Sequence, residues 1–246
     1  MESTAECLVL KRSDSGESDR RLTVFTSEYG KLDLIAKGAR KGGSRLAGSS
    51  EPLTLAKMHF AVGRQRRFIT QVEPITSFPQ MRSDYHRLLA ALAWCELLAG
   101  VLPYESPAPE LFDLSKELLA HVAEHEDPVI SLAWGMAVVF ESEGQSPDWL
   151  RCIVTDAPLE LSPAWVSPAA GGYVDPSVAG QFHDRFVATS EALIALKRLV
   201  EIPAPPAKLR DRDEVIVILE RFWGAVLERP LPALRALIQA THSDGE

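Results

Sequence analysis

The chain has 246 residues, 46% of them hydrophobic and 24% charged, which excludes wholesale disorder and leaves room for one large domain or two ordinary ones. No stretch reaches the roughly 18–20 apolar residues of a membrane-spanning helix, and the run at 129–140 reads as a buried helix. Cys7, Cys95 and Cys152 are few and far apart, and no apolar signal region follows Met1, so a reducing, cytoplasmic location is expected.

The net charge of −8 argues against a nucleic-acid partner when taken whole, but the charge is unevenly spread. Residues 1–80 hold 13 Lys and Arg against 9 Asp and Glu, a net of +4, whereas the remainder holds 13 against 25, a net of −12. A polyanion responds to local potential within about one Debye length, roughly 8–10 Å in physiological salt, so the basic part alone can recruit one.

In chain order, residues 4–11 read as a first strand and the polar stretch 13–19 as a loop. Residues 21–26 are rich in β-formers, 27–30 make a tight turn, and KLDLIA (31–36) alternates with the period of two of a half-buried strand. Residues 53–62 and 68–75 form two more strands joined by a hairpin over 63–67. Five short strands, with a longer connection between the third and fourth, predict a small barrel of the OB type over 1–79; an SH3-like barrel would give a similar pattern.

Pro79 marks the change to helical spacing. From Met81 onward Leu88, Leu89, Leu92, Ala93, Leu97, Leu98 and Leu102 recur at intervals of three and four until Pro103 stops the helix. Further helices are expected at 110–124, 128–143, 182–199, 213–228 and 231–240. Between them, 146–178 is rich in Pro, Ser and Gly and lacks periodicity, as a long loop or inserted module would. The fold class is α+β: a barrel over 1–79, then a mainly helical domain over 80–246.

The segment AKGARKGGSRLAG (36–48) sets Lys37, Arg40, Lys41 and Arg45 among four glycines and three alanines, with no carboxylate. Small residues let a flexible backbone approach a phosphodiester chain, and the cations neutralise phosphates with release of counterions. The 63–67 hairpin adds Arg64, Arg66 and Arg67, and Lys31 adds one more cation. Tyr29, Phe60 and Phe68 would offer stacking faces if they pointed outward, although strand aromatics usually belong to the core and Phe60 and Phe68 are read that way. These residues predict DNA or RNA binding through phosphate contacts.

Catalytic readings fare worse. Residues 38–44 lack the Gly-Lys-Ser/Thr ending of a phosphate-binding loop, and there is neither a G-x-G-x-x-G nor a G-x-S-x-G. His121 and His125 share a helix face at i, i+4 but lack the Glu of H-E-x-x-H, so they read as a surface pair rather than a metal site. Asp14, Glu17, Asp19 and Asp33 are too scattered for a metal-dependent nuclease. The rival to nucleic-acid binding is a protein-interaction scaffold built on the helical domain, whose basic loops serve solubility alone.

The residues at 16–48, GESDRRLTVFTSEYGKLDLIAKGARKGGSRLAG, resemble the RecO family of bacterial DNA-repair and recombination mediators. The family shows a Gly-Glu pair, a Leu-Thr-x-x-Thr-x-x-x-Gly run and a Lys-Gly-Ala-Arg followed by Ser. The likeness continues through EPLTLAKMHFAVGR (51–64) and RSDYHRLLAALAWCELLAGVLPYESPAPELFDL (82–114), and weakly to LERPLPALRAL (227–237). The resemblance implies an OB-fold domain followed by a helical one. It implies a non-enzymatic activity: binding single- and double-stranded DNA, annealing complementary strands and helping to load recombinase. The implied partners are RecR and the C-terminal tail of single-stranded DNA-binding protein, with no membrane. By position, Lys37, Arg40, Lys41 and Arg45 become the phosphate contacts. Many members carry a four-cysteine zinc module with two C-x-x-C pairs. Here Cys152 keeps the first position, while Thr155, Asp175 and Val178 stand at the others. One thiolate and one carboxylate do not build a closed tetrahedral site, so no cofactor or metal is expected, and Trp149, Trp165 and Tyr173 are expected to hold the module by packing.

Overall fold

A computed structural model of the chain describes residues 2–63, 66–159 and 163–243. The chain forms two compact units, 1–123 and 124–246.

In the first unit, β1 (Glu2–Ser15), β2 (Asp19–Thr26), β3 (Gly30–Ala36), β4 (Leu55–Val62) and β5 (Arg67–Thr76) close into a barrel of order β1-β2-β3-β5-β4. β1 pairs with β4 to complete the ring, and β3 pairs with β5 in parallel, Leu34 opposite Arg67 and Ile35 opposite Phe68. This closed order, with its long β3–β4 connection, is the OB arrangement rather than the SH3-like one. One residue in two faces inward: Cys7, Val9, Leu22, Val24, Leu32, Leu34, Met58 and Phe60 share the barrel core.

Several intervening residues are buried too. Leu8, Leu10 and Phe25 face outward from the barrel yet are almost fully covered. The cover comes from α3 (Tyr85–Val101), which packs on β1, and from α4 (Pro109–Glu124), whose Phe112 meets Phe25 edge-on at 5.2 Å. These two helices therefore group with the barrel. A one-turn helix, α1 (Leu46–Ser49), lies in the β3–β4 connection, and α2 (Pro79–Arg82) precedes α3. The helical run expected from Met81 is broken at Ser83 because Asp84 caps α3, its carboxylate accepting the Arg87 N–H at 3.0 Å. α3 stops before Pro103, as its sequence requires.

The expected loop at 13–19 is instead the far end of the β1–β2 hairpin. Ser15 pairs with Asp19, and Gly16 takes the turn at φ +72°. The polar residues misled because this end of the hairpin is largely exposed and needs no apolar alternation. At the start of β4, Leu53 adopts φ +61°, so the strand begins at Leu55 rather than at 53.

In the second unit, α5 (Pro128–Ser142) is buried on nearly every side, packed by α6 (Ser190–Leu199) and α7 (Arg212–Leu227), and α7 by α8 (Pro232–Ser243). Phe140 of α5 stacks on Trp223 of α7 with ring centroids 3.8 Å apart. The stretch expected as helix over 182–199 divides: Phe186–Ala188 is a strand, and Thr189 then caps α6 by accepting the Ala192 N–H. Phe182 and Phe186, four apart, mimic helical spacing. That strand, β8, flanks β6 (Ala164–Ser167), which pairs on its other side with β7 (Gly172–Val174). The aperiodic module thus contains two of the strands of a small sheet. Trp149 and Tyr173 are buried in it, Trp149 against Phe222 at 4.8 Å, and half-buried Trp165 packs on Ala170, Val174 and Ala179.

Candidate nucleic-acid interface

The β3–β4 connection carries the basic segment, and it is tied down rather than free. Gly38, at φ +65°, donates its N–H to the Asp19 carboxylate at 2.8 Å, and Arg40 donates its backbone N–H to the Ser18 carbonyl at 2.9 Å. Ala39 is buried, and Leu46 packs on the barrel core. Farther along, the Arg20 guanidinium donates to the Ala47 carbonyl, the Ser50 hydroxyl and Glu51, and Arg12 also reaches Glu51 at 2.8 Å. The β1–β2 hairpin therefore clasps both ends of the segment, and residues 41–45 project between the two clasps. The expectation of a flexible backbone is corrected here: the anchors are side chains from another hairpin, which local composition does not reveal.

The cations presented by this frame are unequal. Lys37, Arg40, Lys41 and Arg45 are exposed. Among the described residues, Lys41 and Arg45 enter no ion pair. Arg40 donates to the Gly16 carbonyl at 3.0 Å and lies 3.3 Å from the Asp14 carboxylate, so part of its field is cancelled. Lys37 rests its ammonium over the Phe68 ring, 4.4 Å from the centroid. Phe68 is the second residue of β5, just past the 63–67 connection, and its ring also lies against Gly63. The parallel β3/β5 pairing places Phe68 beside Ile35, and hence beside Lys37 two residues later. The two basic loops, some 25 residues apart in sequence, thus meet at one end of the barrel.

Arg66 is exposed on the second loop, whereas Arg67 pairs with Glu105 at 2.8 Å. Arg64 falls outside the described residues. Lys31 requires a correction. It is 6% exposed, donates to the Ala99 carbonyl at the end of α3 at 2.9 Å, and lies 4.5 Å from the Tyr104 ring centroid. Its face of β3 is covered by the 104–105 segment, whose Glu105 N–H binds the Lys31 carbonyl, so Lys31 serves the fold and not the surface. Phe60 is buried in the core, as read from the sequence, and Tyr29 meets it edge-on at 5.9 Å.

Asp19 and Arg20 were missed in the sequence. Both look like ordinary hairpin polar residues, and only their partners reveal their role. The Gly38 N–H is the main reason that the Asp19 carboxyl sits below the ordinary carboxylate range, followed by the Ser18 hydroxyl and then by Lys37 and Lys41.

The residues at the family's zinc positions do not fit the metal. Burial by itself pushes the Cys152 thiol up, but N–H groups of Asp175, Thr155 and Val154 and the Thr155 hydroxyl outweigh it and hold the thiol below its ordinary value. Asp175 turns its carboxylate to the Ser177 N–H and hydroxyl, and Val178 has no donor atom. This donor set offers one sulfur and one occupied carboxylate, short of the four ligands of a structural zinc.

The family profile described as Recombination protein O N terminal matches residues 1–78, and that described as Recombination protein O C terminal matches residues 82–235. A DNA repair protein RecO of Roseiflexus sp. (strain RS-1) is 29% identical over 232 residues, covering 91% of this chain and 81% of the relative. The one from Heliobacterium modesticaldum is 30% identical over 247 residues, covering 92% and 83%. The one from Bifidobacterium adolescentis is 28% identical over 242 residues, covering 94% and 97%.

Proposed function

This chain belongs to the Recombination protein O (RecO) family, and we propose that it works in DNA repair by gripping the phosphates of single- and double-stranded DNA at one end of its barrel and annealing complementary strands. One observation carries this reading: Lys37 on Phe68 joins the 36–48 and 63–67 loops into a single basic surface. Lys37, Lys41, Arg45 and Arg66 supply the positive potential, with Arg40 a lesser contributor because of Asp14. Phosphate contacts fix position without reading bases, as annealing of arbitrary sequences demands. Neither strand is then held in a base-specific pocket that would block pairing.

The reading assigns no catalytic residue, since pairing needs only that two strands meet faster than they do in solution. It extends to loading recombinase onto strands coated with single-stranded DNA-binding protein, with that protein's C-terminal tail and RecR as partners, in the cytoplasm at the nucleoid. A protein partner is supported by an open groove of ≈ 510 Å³ along α6, walled by Ile194, Leu199, Ile202 and Leu209 and edged by Arg198 and Lys208. That volume suits a short peptide.

The test joins binding to annealing. Lys37→Glu, Lys41→Glu and Arg45→Glu together are expected to weaken single-strand binding steeply in low salt and to abolish the annealing of two labelled complementary strands, with secondary structure intact. Unchanged affinity in the triple variant would favour the scaffold reading instead.

A further inference from the structure

In the second unit 10 basic residues face 19 acidic ones, yet three arginines gather around one open groove of ≈ 330 Å³. Arg221 of α7, Arg229 beyond its end and Arg235 of α8 all line this groove. Arg221 lies over the Phe186 ring, 4.2 Å from the centroid, which holds the guanidinium in place. Gly224, three residues on, adds no side chain, and an added Cβ there would meet only the Arg229 carbonyl at 4.0 Å, so the helix backbone stays open to a ligand. Two carboxylates also line the groove, and Glu220 cancels part of the Arg235 field. Asp184 accepts the Ser167 hydroxyl at 2.6 Å and the Ala169 N–H at 2.7 Å, and Glu220 holds Arg235 at 2.6 Å.

We propose that this groove is a second phosphate site, taking the phosphodiester backbone of a single nucleic-acid strand. All three cations are arginine. Planar guanidinium forks match phosphate oxygens in pairs, which a lysine ammonium does not. Acidic surroundings would repel a strand from the rest of this unit and so confine it to the groove. The site stands on its own observations. Its use in annealing, where one strand on each unit makes two per chain, rests on the barrel reading given above.

The experiment is a calorimetric titration of the full chain with a short single-stranded oligonucleotide in low salt. The unaltered chain should take two strands, and the Arg221→Gln, Arg229→Gln double variant one. Annealing should slow at least about tenfold in that variant, from the loss of two charged phosphate contacts. Circular dichroism checks that the variant stays folded, and an Arg221→Lys, Arg229→Lys variant, which keeps charge but loses the forks, should fall between in affinity and annealing rate. The Lys37→Ala, Lys41→Ala, Arg45→Ala variant should retain one strand, held by the groove. The proposal is overturned if the unaltered chain takes a single strand, if the glutamine variant still takes two and anneals at full rate, or if an acidic peptide but not the oligonucleotide is displaced by the substitution. A barrel variant that still takes two strands would refute the barrel reading instead.

Discussion

Replacing Lys37, Lys41 and Arg45 by alanine should change how binding responds to salt as well as how strong it is. Five cations stand at this end of the barrel among the described residues: Lys37, Arg40, Lys41, Arg45 and Arg66. If each meets one phosphate of a single strand, log affinity falls against log salt with a slope of about −3.5, at about −0.7 per phosphate. In the Arg221→Gln, Arg229→Gln background, where the groove takes no strand, removing three contacts leaves a slope of about −1.4. Raising salt fourfold should then weaken the intact barrel by about 130-fold and the variant by only about sevenfold. Fold stability should hardly move, because Lys41 and Arg45 are unpaired among the described residues and the Lys37–Phe68 contact is worth only about 0.5–1 kcal/mol. Fluorescence anisotropy at four salt concentrations measures both slopes. Equal slopes would refute the assignment, since they would mean that these side chains displace no counterions.

Lys31→Met should behave in the opposite way: losing the bond to the Ala99 carbonyl should cost about 1–3 kcal/mol in a urea melt, while the affinity for DNA stays unchanged. Gly30→Ala should destabilise by about 2 kcal/mol or more, because the new Cβ would lie 1.9 Å from the Ser106 carbonyl oxygen and φ is +64°; an unchanged melting temperature would contradict the packing. Asp19 has a depressed folded value, so the stability it lends is present above the ordinary carboxylate value and is lost as pH falls through the folded one. Asp19→Asn should therefore flatten that acid limb of the stability curve and weaken DNA binding at neutral pH, and an unaltered limb would rule out the Gly38 anchor. Dialysis against a chelator should leave the melting temperature in place, and a drop would show that a metal holds the module around Cys152.

Alternation and turn residues made the barrel strands readable, because each strand's inner face must be apolar whatever covers its outer face. What covers the outer face was hidden. Lys31 looked like any outward cation of β3, and only the 104–105 segment lying across it makes it buried. The clasp by Asp19 and Arg20 was hidden for a related reason: it depends on a hairpin folding back over a loop, and polar residues at a hairpin tip carry no signature of their targets. Phe182 and Phe186 show the converse failure, in which helical spacing arose by coincidence where a strand ends at a Thr cap. The basic composition of 36–48 was plain from the start, but its union with the 63–67 loop needed the parallel β3/β5 pairing, a contact between distant strands.

The clasped loop has a kinetic meaning. On the proposed reading, a strand landing on it has little peptide to immobilise, so weak contacts can form without first arresting a wandering backbone. Touch and release can both be quick. A protein built to pass strands along rather than keep them gains more from a rigid rack of modest hooks than from a deep, slowly closing grip.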